Sequence, residues 1–194
     1  MAKRRREDPQ VRKTQLLQAA KRCFRTFGFQ ATTVDRIAAE AQVSVGLLYR
    51  FFDSKSAMIK AIILEDIEVQ LEQAGIAIES SSGEVPETSR AVAKKLAEST
   101  VERDRIALML EIAAEVCRDP ALRSFVQSKR SQVRDALVKK LESKGISRKT
   151  AVQMLDKLEI SSAIASGAAI HAMLYSSGSP ESSMRLISKL ISGA

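Results

Sequence analysis

Tryptophan is absent from these 194 residues, and all aromatic residues together make up 4 % of them. Cysteine occurs twice and histidine once. Each shortage excludes something. Two cysteines, Cys23 and Cys117, form no disulfide framework and no metal-ligand cluster, so a reduced, cytoplasmic setting is expected. Cys23 shares a helical face with Leu16, Ala20, Phe24 and Phe27 and reads as a small core residue. With a single histidine, no nucleophile motif, no clustered metal ligands and no glycine-rich phosphate loop, nothing supports an enzyme, and no cofactor or metal is implied. Alternating β-branched runs are missing as well. What remains is rich in Ala, Leu, Ile, Lys and Glu and predicts an all-α chain.

Residues 160–180 contain no charged side chain, yet they hold six serines and a proline. That is too polar for a bilayer core about 30 Å thick, so no membrane partner is expected. The basic run Lys3-Arg4-Arg5-Arg6 is not followed by an apolar stretch and does not read as a signal peptide.

Charge is present but unevenly spread. Residues 1–60 carry 13 Lys and Arg against 5 Asp and Glu, whereas residues 61–194 carry 18 of each. The whole net charge of +8 therefore lies on the first 60 residues. A basic N-terminal module on a neutral body is the electrostatic footprint of a nucleic-acid binder. The flexible arm at Arg4, Arg5 and Arg6 suits a minor groove or phosphate oxygens.

The densest information lies between Thr32 and Ala61. Thr32 or Thr33 caps a helix N-terminus, and Asp35, three residues after Thr32, fits the return bond of a capping box. Val34, Ile37, Ala38 and Ala41 follow at helical spacing. Gln42-Val43-Ser44 breaks the period, Ser44 caps a second short helix, and Leu48 and Phe52 continue the apolar face. Ser54 caps a third helix that begins at Lys55 and carries Met58, Ile59, Ile62 and Ile63. Two short helices joined by a tight turn describe a helix-turn-helix. Tyr49, Arg50 and Lys55 lie off the apolar face, where hydroxyl and cationic groups suit phosphate oxygens. Gly46 lets the second helix approach another backbone, at a cost of roughly 1 kcal/mol against Ala.

These residues resemble the DNA-binding domain of the TetR family of bacterial repressors. The resemblance rests on Gly28, Phe29, Thr32, Thr33 and Val34, on Ile37, Ala38, Ala41, Val43 and Ser44, and on Gly46, Leu48, Tyr49, Phe52, Ser54 and Lys55, and it covers residues 10–62. It departs at Gln42, where the family commonly has glycine. It implies a regulator of transcription that binds double-stranded DNA as a homodimer. Val45, Gly46 and Leu47 are then expected at base edges, and Arg50 at a base or a phosphate. Thr33, Ser44, Tyr49 and Lys55 are expected along the DNA backbone. A site read by two such heads is roughly palindromic, with half-sites about 34–36 Å apart.

The expected organisation is a basic arm over residues 1–8, the helix-turn-helix domain over 9–54 and a helical body over 55–194. Helices are predicted at 55–79, 86–100, 103–118, 120–144, 147–177 and 180–192. Asp8-Pro9, Asp119-Pro120 and Ser179-Pro180 place a capping residue before proline, and Gly28, Gly83, Gly145 and Gly178 fall where helices stop. The resemblance implies that the body dimerises through its last two helices and takes an unidentified small-molecule effector. Small and apolar residues at Ala163, Ile164, Gly167, Ala168, Ile170, Met173 and Leu174 suit a close helix–helix contact. Met109, Glu111, Phe125 and His171 are the candidates for effector contact, apolar or polar groups within apolar runs. The alternative is a dimeric DNA-binding protein with no ligand, in an architectural or accessory role.

Overall fold

The computed structural model describes residues 8–80 and 103–175. Among them are seven helices and no strand: α1 Pro9–Phe27, α2 Val34–Glu40, α3 Val45–Tyr49, α4 Lys55–Ser80, α5 Arg103–Arg118, α6 Pro120–Ser143 and α7 Arg148–Tyr175. The predicted helices at 86–100 and 180–192 and the Arg4–Arg6 arm lie outside the described residues.

Local chemistry explains most helix ends. Asp8 accepts the Gln10 N–H at 2.9 Å, and Pro9 occupies the first helical position of α1. Ser44 accepts the Leu47 N–H at 3.2 Å, and Ser54 accepts the Ala57 N–H at 3.0 Å. The Asp119 carboxylate accepts the amides of Ala121 and Leu122 at 2.8 and 3.1 Å and starts α6.

At α2 the cap is Thr33, whose hydroxyl oxygen accepts the Arg36 N–H at 3.2 Å. The expected box on Thr32 is therefore replaced. Asp35 falls at the second helical position, where its charge faces the helix dipole instead of closing a box. Thr32 is 1 % exposed, and its hydroxyl lies within hydrogen-bonding reach of the Gly28 carbonyl at 2.7 Å and the Cys23 carbonyl at 3.2 Å.

The chain divides into two compact units. The first runs through Glu65 and adds Ala107–Val126; the second comprises Asp66–Ile106 and the chain from Gln127 onward. The boundary expected at Lys55 thus falls within the first unit, which continues for the first turns of α4 and recruits most of α5.

The first unit closes over one core. Leu16, Ala20, Cys23 and Phe24 of α1 pack with Ile37 and Ala38 of α2, Leu48 of α3, and Phe52, Met58 and Ile62, while Leu108 and Ile112 of α5 cover it. Burial pushes the Cys23 thiol above its ordinary range, with the Glu40 carboxylate adding to the shift, so this cysteine behaves as the apolar core residue expected of it. The second unit has its own core of Ala74 and Ile78 from α4, Val138 and Leu141 from α6, Ile146, and Ala151, Met154, Leu155 and Leu158 from α7. No described helix is long and apolar enough to cross a membrane.

Candidate nucleic-acid interface

The turn between α2 and α3 sets the interface. The Val43 N–H donates to the Ala38 carbonyl at 2.9 Å, and the Gln42 N–H donates to the Ala39 carbonyl at 3.0 Å. This pair of bonds is a Schellman motif, which requires a left-handed residue between its two ends. Gln42 is that residue, at φ 55°. The departure from glycine therefore leaves the turn intact and places the backbone strain on Gln42 itself. Val43 and Ala38 both belong to the core cluster, supplying the apolar contact that accompanies the motif.

The turn sends α3 across the core with one face anchored and the other open. Leu48 is fully buried, whereas Gly46, Tyr49 and Arg50 are exposed. A β-carbon built on Gly46 would meet nothing within 4 Å, so no packing inside the molecule calls for glycine there. Its advantage is outward, where a second backbone can approach closely. Tyr49 is 49 % exposed despite its large apolar ring. No hydrogen bond or ion pair engages the Arg50 side chain among the described residues.

The other expected contact residues are placed as follows. Val45 is half-buried and packs partly against the core, and Leu47 is half-buried beside it. Thr33 and Ser44 are exposed, each with its hydroxyl oxygen already accepting a helix N–H. The Lys55 ammonium turns inward: it donates to the Phe29 carbonyl at 2.8 Å and the Gln30 carbonyl at 3.3 Å, and lies 4.6 Å from the centre of the Phe29 ring. Two of its N–H groups are thereby engaged with protein oxygen instead of solvent. Arg36 is held over the Phe27 ring at 4.0 Å, and Arg22 pairs with Glu40 at 2.6 Å.

The residues proposed from sequence for an effector are separated by the same division of the chain. Met109, Glu111 and Phe125 belong to the first unit and His171 to the second. The Glu111 carboxylate accepts the backbone N–H of Phe29 at 3.0 Å. The Phe125 ring lies under the Lys60 ammonium at 5.6 Å, and His171 is exposed. An open groove of about 420 Å³ in the second unit is lined by other residues: Leu71, Glu72, Gly75, Ile76, Glu79, Ala136 and Lys140.

Sequence reasoning missed the partnership between α5 and the segment after α1. Glu115, 5 % exposed, accepts the Gln30 side-chain amide through both carboxylate oxygens, at 3.0 and 2.9 Å, and pairs with Arg118 at 3.3 Å. The available signal was the placement of Glu111 and Glu115 four residues apart, on one face of an otherwise apolar run.

The signature of bacterial regulatory proteins of the tetR family matches residues 16–62, from the middle of α1 to the first turns of α4. The HTH-type transcriptional regulator UidR of Escherichia coli (strain K12) is 29 % identical over 134 residues, covering 69 % of this chain and 66 % of that protein. The chain thus matches just under two thirds of that relative's length. The HTH-type transcriptional repressor Rv1474c of Mycobacterium tuberculosis is 29 % identical over 110 residues, 57 % of this chain and 54 % of its own. Among solved structures, SCO4454, a TetR-family transcriptional regulator from Streptomyces coelicolor, superposes with a TM-score of 0.71 at 25 % identity, covering 95 % of this chain and 94 % of that one. The capped α2, the Schellman turn and the outward face of α3 all lie within that match, so residues 16–62 carry the signature of the tetR family of bacterial regulatory proteins.

Proposed function

We propose that this protein is a transcriptional repressor that grips a palindromic DNA site as a homodimer and is released by a small-molecule effector. The observation that carries the reading is α3 itself: Leu48 anchors it, while Gly46, Tyr49 and Arg50, unpaired among the described residues, face outward on the basic part of the chain. In this reading α3 enters a major groove. Gly46 brings its backbone close to the base edges, the exposed parts of Val45 and Leu47 meet thymine methyl groups, and Arg50 reaches a base or a phosphate. Thr33, Ser44 and Tyr49 hold the backbone with hydroxyl groups, and the N–H that Lys55 does not spend on Phe29 and Gln30 is left for a phosphate. The arm Arg4–Arg6 adds sequence-independent charge.

Support for a homodimer comes from α7, where Ile160, Ile164 and Leu174 are 63, 53 and 60 % exposed and a β-carbon on Gly167 would meet nothing within 4 Å. These residues lie at helical spacing along one stripe, which a second copy would cover. Repression is favoured by the relative Rv1474c, which carries that role in its name. Release by a small-molecule effector is what the resemblance to the tetR family implies for this chain.

The test is binding of the purified full chain to the DNA upstream of its own gene. Salt-sensitive binding is expected, with Tyr49→Ala weakening it evenly across sequences. Absence of any salt-sensitive binding would sink the reading.

A further inference from the structure

We propose that Glu111 and Glu115 are positioning residues for DNA reading: from α5 they clamp the turn between α1 and α2 and so fix the cap from which the helix-turn-helix is built. The proposal rests on the DNA-binding function argued above and concerns residues that touch no DNA.

The turn is short and over-determined. Gly28 stands at φ 76° and ψ 160°, a backbone region open essentially to glycine alone. A β-carbon there would lie 3.4 Å from a Glu111 carboxylate oxygen, an ordinary contact, so the backbone conformation is what calls for glycine. Four of the polar groups that follow are tied to α4 or α5. The Phe29 N–H goes to Glu111 of α5, the Phe29 and Gln30 carbonyls receive Lys55 of α4, and the Gln30 side chain goes to Glu115 of α5. Thr32 closes the turn back on α1 through the Gly28 and Cys23 carbonyls. The next residue is Thr33, the cap of α2.

The electrostatics make this arrangement informative. Glu111 and Glu115 lie one helical turn apart on one face, a spacing at which like charges repel. They also put two negative charges into the unit that carries the basic reading face, where an anionic ligand is repelled by them. Glu115 is buried in this unit, where Arg118 at 3.3 Å offsets part of its charge. The carboxylates accept the Phe29 N–H and the Gln30 side-chain amide, with Glu115 also meeting Arg118, and charge-assisted bonds of this kind hold geometry better than neutral ones.

The direction of effect separates the clamp from simple charge. By field alone, removing Glu111 removes repulsion and tightens DNA binding. If Glu111 positions the turn, Glu111→Ala leaves the Phe29 N–H without its partner, loosens the Thr33 cap and weakens binding by about tenfold. The experiment measures affinity of the full chain for the DNA upstream of its own gene across a salt series, for wild type, Glu111→Ala, Glu111→Gln and Glu115→Gln. Hydrogen exchange of the Phe29 amide is followed in parallel without DNA. Expected are weaker binding by Glu111→Ala with an unchanged salt slope, loss of Phe29 protection, and recovery of both in Glu111→Gln, which keeps an acceptor oxygen. Glu115→Gln is expected to fold and to bind with a smaller loss. Should Glu111→Ala fail to fold, the Gln variants carry the test, because they remove the charge and keep the shape. Binding as tight as wild type, or tighter, by a folded Glu111→Ala overturns the clamp, as does unaltered Phe29 protection. If wild type itself binds no DNA, the functional reading fails instead, and Phe29 protection still decides whether the clamp exists.

Discussion

The two units of the molecule place several of their cations differently. In the second, Arg105 pairs with Asp66, Arg134 with Asp156 and Glu159, Arg148 with Glu142 and Lys140 with Glu79. In the first, pairs such as Lys21–Glu65 and Arg22–Glu40 tie α1 to its neighbours, but Arg50 at the end of α3 has no side-chain partner among the described residues and Lys55 is given to carbonyl oxygens. Exposed pairs of the first kind are worth about 0–1 kcal/mol each, so neither unit owes its fold to them. What differs is what a polyanion meets. The second unit holds these four cations in ion pairs, and the first leaves Arg50 open among the described residues beside a helix with a smooth, glycine-bearing face.

The comparison breaks most visibly at the cores. Leu48 and Leu141 are both fully buried, one in each unit. Truncating either to Ala is expected to cost about 2–5 kcal/mol. Leu48→Ala is expected to abolish DNA binding because it removes the anchor of α3. Leu141→Ala is expected to lower the melting temperature while sparing DNA binding wherever the chain remains folded. Thermal melts read beside DNA titrations check both, and equal losses of binding would show that the units do not divide the work.

At the level of charge, Arg50→Ala is expected to weaken binding by about 1–3 kcal/mol if it reads a base. If it meets a phosphate, the loss is similar for all sequences and the salt slope falls by about one. Arg134→Ala removes a cation of the second unit and is expected to leave DNA affinity unchanged. A competition titration with scrambled DNA distinguishes these outcomes.

Much of this asymmetry was legible in the sequence, because its causes are local. Asp8 before Pro9, Ser44, Ser54 and Asp119 act within three residues of themselves, and the structure has each in the capping role its position predicted. The outward face of α3 followed from the buried period that leads to Leu48. What stayed hidden depends on chain separation. Phe29 meets Glu111 across 82 residues, and nothing about a backbone N–H marks it in a sequence. The inward turn of Lys55 was equally hidden, since a lysine at a helix start reads as solvent-facing until its carbonyl partners are located. The choice between Thr32 and Thr33 depended on which hydroxyl the core would bury, a tertiary matter that spacing alone left open.

The two Schellman turns sharpen the comparison at smaller scale. Gly145 at φ 82° closes α6 with the bonds of Gly145 to Glu142 and Ile146 to Leu141, the same pattern that Gln42 and Val43 make after α2. One turn uses the residue suited to a left-handed backbone and the other does not. A non-glycine residue there costs about 1–2 kcal/mol, partly recovered because it restricts the unfolded chain. Gln42→Gly is therefore expected to stabilise the first unit by about 0.5–1 kcal/mol, and Gly145→Ala to destabilise the second by about 1 kcal/mol. Chemical denaturation measures both. If Gln42→Gly also weakens DNA binding, the glutamine side chain, which is exposed beside Ser44, has a role at the interface that outweighs its strain.

The smallest effect asks whether the second unit's cations are held as firmly as their geometry indicates. The Lys140 ammonium lies 2.6 Å from the Glu79 carboxylate, and its hydrogen bond and charge hold that carboxyl below the usual carboxylate range, with Lys144 adding a lesser pull. A folded value lowered in this way contributes stability that is present above the ordinary carboxylate range and is lost as pH falls through the lowered value. The pair is exposed, so salt screens it and the contribution is slight. Lys140→Met is expected to return the Glu79 titration midpoint, followed by NMR, toward its ordinary value and to flatten the acid side of the stability profile. An unmoved midpoint would mean that Lys140 is not held by Glu79. Lys140 would then be as open as Arg50, and the difference between the two side chains toward DNA would have to come from the shape of α3 instead of from pairing.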